Sequence, residues 1–491
     1  MKIVSAGTMR ALERAAVSSG VPEYRLMRRA GLGAAAALEH FAKGRFRRVV
    51  FFCGSGNNAG DAVVAAGSLG LPHVLLPFRP LEELKGAAAA AVREFGPRLN
   101  VCPDIGTFDF EPGDLAADAL LGTGFSGSSV RAPLDRGLAL LARAGRRVVA
   151  FDLPSGLDAD SGEAVPGTVK ARLTLAFGAP KQGMFLREGP ELCGKIEVIP
   201  IGLDLDAAER ALDYDFYTKS EAAEALRRPP LTAHKNTRGR VLVLCGSADY
   251  PGAAVLASSA ALRFAGLVRS VMTESGLSFQ LPAALIRRSL PPGPGGALPA
   301  DALKRCADFI PVSDALCAGC GWGSAVSPEL LKEVLAFPGP VVLDADGLNL
   351  LARHPELRSP RSDMVLTPHP GEAARLAAAF GVDGTLPRER FAAALAEKLG
   401  ATVILKGFHT CVAAPGRPVS VNSSGGPELA VAGSGDVLAG IVTGLLAEGH
   451  SPFDAAKLGV FLHGLAGDEG GFSLIADELP LLAAKCRDHL W

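Results

Sequence analysis

The sequence predicts an α/β protein of two domains, each a three-layer αβα sandwich, the first over residues 1–210 and the second over residues 216–491. Three observations carry this. Short apolar runs alternate along the chain with segments of helical apolar period, the pattern of parallel strands joined by crossover helices. Many of these runs end in Gly-, Asp- or Ser-rich signals, as expected where the carboxyl ends of parallel strands place their loops. Residues 204–214 are charged and carry no core pattern, and they divide the chain.

The composition suits two ample cores. Of 491 residues 48% are apolar and 21% charged, and 50 Lys+Arg balance 51 Asp+Glu. So even a balance gives no field to attract nucleic acid or an anionic membrane, and the expected partners are small molecules held by local geometry. No apolar run reaches membrane-spanning length and the first residues lack the apolar block of a signal peptide, so a cytoplasmic protein with no membrane contact is expected. Nine cysteines, an odd number scattered over a long chain, argue against a disulfide framework. Cys317-Ala318-Gly319-Cys320 alone has CxxC spacing, and without a second pair it reads as ordinary loop cysteines.

In chain order, residues 8–18 and 26–41 show helical spacing of apolar positions with Arg and Glu opposite, two amphipathic helices. Residues 49–53 form an apolar strand ending in Gly54-Ser55-Gly56-Asn57-Asn58-Ala59-Gly60-Asp61, after which helical composition resumes. A strand, a glycine loop and a helix open a Rossmann-like unit. The loop is not the dinucleotide fingerprint, because Gly60 follows Gly56 by four residues instead of three, and it lacks the Lys-Ser/Thr pair of a P-loop. Asp118 precedes a second glycine loop, Gly122-Thr123-Gly124-Phe125-Ser126-Gly127-Ser128, and residues 148–151 run into Asp152-Leu153-Pro154-Ser155. Such loops converge on one crevice. Asp152 is then a candidate acid/base, and Asn58, Asp118 and Ser155 are hard oxygen donors for a cation such as potassium, sodium or magnesium.

Beyond the divide, residues 218–228 read as a helix closed by Pro229-Pro230, and residues 240–245 as the next strand. A polar loop then leads into a helix over residues 255–264. Further strands are expected at 315–318, 341–343, 364–366 and 402–405, with helices between them, in a parallel sheet covered on both faces. Polar signals follow these strands: Gly319-Cys320-Gly321-Trp322-Gly323, Asp344-Ala345-Asp346, Thr367-Pro368-His369-Pro370-Gly371-Glu372 and Lys406-Gly407-Phe408-His409-Thr410. Last, Gly433-Ser434-Gly435-Asp436 runs straight into an apolar helical pattern. Asp436 is therefore expected in the first turn of a helix whose unpaired N–H groups make an anion site beside a base. Cations, backbone donors and one base together suit phosphoryl transfer.

The first three loops, with Ala179-Pro180-Lys181-Gln182-Gly183, resemble the NAD(P)H-hydrate epimerase domain over roughly residues 1–205. The resemblance implies that Asn57, Asn58, Ala59, Gly60, Asp61, residues 122–128 and Asp152 contact a hydrated nicotinamide nucleotide, and that Asn58, Asp118 and Ser155 hold potassium. Ala59 and Ala62 stand where that family has glycine, and a methyl there is expected to crowd a positive-φ backbone or a close phosphate. The Thr-Pro-His-Pro-Gly-Glu, Leu-Lys-Gly and Gly-Ser-Gly-Asp-Val-Leu-Ala-Gly motifs resemble the ribokinase-like superfamily, and within it the nucleotide-dependent NAD(P)H-hydrate dehydratases, over residues 216–491. That likeness implies that Ala253, Gly323, His369 and catalytic Asp436 face the hydrated nucleotide. Lys406, Gly407, Phe408, His409, Thr410 and Gly435 would hold ADP or ATP, with magnesium arriving on the phosphate donor. Asn236, Cys320 and Gly426 depart from its usual glycine, proline and asparagine.

The two resemblances together imply repair of hydrated nicotinamide nucleotides. Asp152 would serve epimerisation of R- and S-NAD(P)HX, and Asp436 the dehydration of the S form to NAD(P)H with release of phosphate. Fused domains of this kind often form homo-oligomers. The alternative is a ribokinase-like small-molecule kinase carrying a non-catalytic N-terminal nucleotide-binding module.

Overall fold

A strand without polar alternation must be covered on both faces, and the first sheet is built of such strands. The structure, a computed structural model, describes residues 1–490 apart from Arg146, Ala207, Ser359 and the side chain of Leu277. It divides into two compact units, Met1–Phe216 and Tyr217–Trp491.

The first unit holds strands β1 (Arg48–Cys53), β2 (His73–Pro77), β3 (Asp114–Ala119), β4 (Val148–Phe151), β5 (Leu173–Phe177) and β6 (Lys195–Ile199), nearly all buried. They form one parallel sheet in the order β2-β1-β3-β4-β5-β6. The chain leaves β1 toward one edge and resumes at β3 on the other side, so a crevice opens at the carboxyl ends of these two strands. Helices Ala6–Ser18 and Glu23–Ala42 occupy the stretches of helical period. One expectation is corrected. The glycine loop after β1 is shorter than the sequence suggests, because Asn57 already opens the helix Asn57–Ser68. Only Gly54, Ser55 and Gly56 make the turn, and at Gly54 a Cβ would lie 2.0 Å from the Leu120 carbonyl oxygen. Glycine is what lets the ends of β1 and β3 approach.

Strand β7 (Tyr214–Tyr217) spans the division between the units. Thr218 then caps the helix Lys219–Ala225 in a reciprocal pair with Glu221. The second unit continues with β8 (Arg240–Leu244), β9 (Leu267–Thr273), β10 (Ile286–Leu290), β11 (Ala315–Ala318), β12 (Val341–Leu343), β13 (Met364–Leu366), β14 (Thr402–Leu405), β15 (Cys411–Ala413) and β16 (Val419–Asn422). These run in the order β10-β9-β8-β11-β12-β13-β14-β15-β16. Again the order reverses, here between β8 and β11. The sheet is mixed instead of wholly parallel, since β14, β15 and β16 pair antiparallel. Connections of a few residues between these strands allow only that sense.

Helix Ser434–Ala447 is apolar on every side, with residues 437–446 all buried, as a helix packed on all faces must be. It meets helix Pro251–Phe264 along a seam of small residues, where a Cβ on Gly440 would lie 2.2 Å from the Ala257 carbonyl oxygen. That seam fixes where Asp436, at the helix start, is held. Among the described residues no helix is long and apolar enough to cross a membrane. Gly440→Ala should cost about 1–3 kcal/mol through overpacking. In a Trp491→Phe background, urea unfolding followed by the fluorescence of fully buried Trp322 should show a lower midpoint.

Candidate functional site

The carboxyl ends of β1, β3 and β4 open into a cavity of about 1280 Å³ in the first unit, lined by Asn57, Asn58, Asp61, residues 122–128 and Asp152. It exceeds the usual volume of a drug-sized site and has room for a dinucleotide. Ala59 and Gly60, expected to touch the ligand, are buried in the helix beneath instead. Neither Ala59 nor Ala62 has positive φ. The expected crowding of a left-handed backbone therefore does not arise, and in helix alanine is favoured over glycine by about 1 kcal/mol.

Asp152 sits at the end of β4 with φ of 64°, a strained conformation that clusters at functional sites. Lys181, only 1% exposed, pairs with Asp152 Oδ1 and donates to the Phe177 carbonyl at 2.8 Å. The Phe177 amide also donates to Asp152 Oδ1, at 3.3 Å. An ammonium so dry persists only because it is paired. Burial, then the charges of Asp152 and Glu13, pushes Asp61 well above the usual carboxylate range, and burial and Asp152 raise Glu13. The cavity thus gathers Glu13, Asp61 and Asp152 around a single lysine.

Beneath them Asn58, Asp118 and Ser155 come together. The Asn58 amide donates to the carbonyls of Leu121 at 2.7 Å and Phe151 at 3.0 Å, while its Oδ1 is buried with no hydrogen-bond partner. Asp118 is fully buried and accepts the Ser155 hydroxyl at 2.5 Å and the Ser155 amide at 2.8 Å. Burial pushes its carboxyl up to about 6 against those hydrogen bonds.

In the second unit Gly433, with φ of 88°, precedes the helix Ser434–Ala447 and supplies no side-chain cap. The Ser434 amide donates to the Val431 carbonyl at 3.3 Å, and the Gly435 and Asp436 amides are left for an anion. Buried His463 accepts no charge there: burial lowers its pKa to about 4, and its Nε2 lies 3.0 Å from the Ser434 carbonyl oxygen. Asp436 in that turn has its pKa raised to about 7, by burial first and then by the charge of Asp344. Asp344, almost fully buried, receives the Lys406 ammonium on Oδ1 at 2.9 Å. Burial works against that ammonium, but Asp344 and Glu372 more than restore it and leave its pKa raised. A Cβ on Gly435 would lie 3.3 Å from Lys406 Nζ and 3.6 Å from Asp344 Oδ2, so the glycine keeps a cradle open between helix and lysine.

The other expected residues lie in the loops and helix starts of the same unit. His369 caps the helix Pro370–Phe380, accepting the Gly371 amide on Nδ1 at 3.0 Å, while Glu372 accepts the His369 amide at 2.8 Å. Nε2 is then the nitrogen left to donate. The Gly323 amide donates to Asp346 at 2.8 Å, and Ala253 lies in the first turn of Pro251–Phe264. Gly407 has φ of 144° and His409 of 51°, bending residues 406–410 into a tight loop closed by the Thr410 hydroxyl on the Gly407 carbonyl at 2.8 Å. Phe408 is exposed and stacks on His409.

Sequence reasoning gave no role to Glu13, Lys181 or Asp344. Glu13 lies on the polar face of an amphipathic helix and sends no signal. Lys181 does, as a lysine just past an apolar strand, and Asp344 does as an acid ending one. The CxxC pair is not in an ordinary loop: Cys317 and Cys320 are fully buried together with Cys245.

The folds define a class, a Rossmann-like unit followed by a ribokinase-like one. Residues 23–183 match the family described as YjeF-related protein N-terminus, and residues 241–474 the family described as NAD(P)H-hydrate dehydratase. The chain is 36% identical over 493 residues to the bifunctional NAD(P)H-hydrate repair enzyme of Moorella thermoacetica, spanning 96% of this chain and 92% of that protein. It is 37% identical over 505 residues to the enzyme of that name from Coxiella burnetii, spanning 98% and 97%. A solved ribokinase-like superfamily protein from Enterococcus faecalis shares the fold of the second unit, with a TM-score of 0.50 at 22% identity over 57% of this chain and 96% of that one. The chain belongs to the family of bifunctional NAD(P)H-hydrate repair enzymes.

A carboxyl whose folded pKa is raised costs stability once it ionises, so Asp436 should weaken the second unit as pH rises from about 4 to about 7. Asp436→Asn removes that cost. At pH 8 calorimetry should show it melting several degrees above wild type, a gain of about 1–2 kcal/mol, with the gap closing toward pH 4.

Proposed function

We propose that the second unit dehydrates hydrated NADH or NADPH at the expense of ADP or ATP, and that the first unit interconverts the two epimers of the hydrate. The observation that carries this reading is Asp436, a carboxylate with a pKa near neutrality on an uncapped helix start, with Lys406 and the Gly435 cradle beside it.

Hydroxide leaves a ring carbon poorly, and phosphate leaves well. Asp436 takes the proton of the ring hydroxyl as the terminal phosphoryl of the donor transfers to that oxygen. The lone pair of the ring nitrogen then expels phosphate to leave an iminium, and loss of a proton from the adjacent ring carbon to water restores the dihydronicotinamide. First-turn N–H groups, Lys406 and the loop 406–410 hold the donor's phosphates in line, which is most of what phosphoryl transfer asks of a protein. Among the described residues no three carboxylates gather here, so magnesium belongs on the donor's own phosphates, the usual arrangement for this ion.

In the first unit both bonds to Asp152 fall on Oδ1, which leaves Oδ2 to help the hydroxyl depart and return on the opposite face. Potassium fits beneath. The orphaned Asn58 Oδ1, Asp118 and neighbouring carbonyls form an all-oxygen set with one negative charge, and a bound monovalent cation would supply fixed positive charge near the nucleotide phosphates.

Asp436→Asn should lower dehydration about 10²–10⁴-fold, the usual yield of a general base, and leave epimerisation intact. Asp152→Asn, chosen because asparagine tolerates left-handed backbone, should do the reverse. Measured with hydrated NADH, phosphate release and recovery of dihydronicotinamide absorbance read the first activity and chiral separation of the hydrates the second. A phosphorylated product that persists would instead make the second unit a small-molecule kinase. Wild-type dehydration should rise with pH through about 7 as Asp436 ionises. Replacing potassium by tetramethylammonium should slow epimerisation at least about tenfold, and Asn58→Ala should remove the response to potassium.

A further inference from the structure

Three thiols meet at the point where the second sheet reverses its order. Cys245 follows β8, Cys317 lies in the neighbouring strand β11, and Cys320 comes one turn after it. All three side chains are fully buried, and their sulfurs lie within 4.8 Å of one another. Cys320 Sγ is also 3.9 Å from Asp344 Oδ2, the oxygen that Lys406 leaves open by binding Oδ1. Dehydration as derived above uses none of these sulfurs.

We propose that Cys245, Cys317, Cys320 and Asp344 form a binding site for a thiophilic metal ion, with zinc as the type. Zinc–sulfur bonds of about 2.3 Å in a tetrahedron put sulfurs roughly 3.8 Å apart, so closing the three thiols takes movements of about 1 Å or less, while Asp344, near Cys320 but not within 4.8 Å of all three sulfurs, swings further to give the fourth ligand. Cys317 sits on β11, Cys245 just past the end of its neighbour β8, and Cys320 across a two-residue turn, so paired strands hold them close before the metal arrives. Soft thiolates select zinc over magnesium, and one carboxylate oxygen completes four ligands. Binding releases the three thiol protons to water, and Asp436, half-buried, lies within 4.8 Å of Cys320 and Asp344.

The site therefore adjoins the base. A bound ion takes Asp344 as a ligand and so disturbs its pairing with Lys406, the ammonium placed to hold the donor's phosphates, so a filled site silences dehydration. This consequence rests on the role proposed for Lys406; the binding itself does not.

The test uses the full chain, reduced, stripped with a chelator and titrated with cobalt(II) under anaerobic conditions. One equivalent should bind per chain, giving the intense visible absorption of a tetrahedral ion and a sulfur-to-metal charge-transfer band, both removed when zinc displaces cobalt. Cys317→Ser and Cys320→Ala, each checked for folding by circular dichroism, should lose the bands. Cys102→Ser/Cys486→Ser, changing the two cysteines that are not fully enclosed, should keep them. Wild-type protein that shows only weak octahedral absorption, or either folded core variant that keeps the bands, overturns the site. One equivalent of zinc should lower dehydration at least tenfold, with recovery on chelation and unchanged epimerisation. Binding with undiminished dehydration would overturn the silencing while leaving the site in place.

Discussion

Three carboxylates, Asp344, Glu372 and Asp436, surround one ammonium in the second unit, and that imbalance sets its chemistry. Asp344 and Asp436 both lie out of bulk water, and Lys406 is committed to Asp344. Burial first, and then the nearby charge of Asp344, keep the proton on Asp436 to about neutral pH. A group held there is poised to accept a proton without being permanently charged. The fold arranges this by bringing the ends of β12 and β14 beside the first turn of one buried helix, whose own position is fixed by the glycine seam.

The first unit meets a related problem differently. Lys181 has almost no contact with solvent and depends on a single carboxylate, while Glu13 and Asp61 stand nearby with raised pKa values. The orphaned oxygen of Asn58 marks where a bound cation would find a ligand. Both units place these groups beyond the carboxyl ends of parallel strands, where loops leave room for a ligand.

Much of this was legible in the residues. Strands β11 to β14 could be read because strands buried on both faces are continuous apolar runs, whereas β9 and β10 carry Arg269, Arg287 and Arg288 and hid themselves. Asp436 announced itself by standing between small residues and an apolar helix. What could not be read was partnership across distance. Lys406 and Asp344 are 62 positions apart, and Cys245 and Cys317 are 72 apart; only sheet register brings them together. The loop after β1 was misjudged because asparagine and glycine suggest a turn, yet here they start a helix whose packing outweighs propensity.

The left-handed backbone at Asp152 has a consequence for how this position can change. Asparagine, aspartate and glycine enter that region readily, and other side chains do so at a cost. Proton chemistry narrows the choice again, to the one of the three that carries a charge. Descendants of this sequence are thus screened twice at a single codon, once by geometry and once by reactivity, and drift there should be slower than at Asp61, where an ordinary helical backbone imposes only the second sieve.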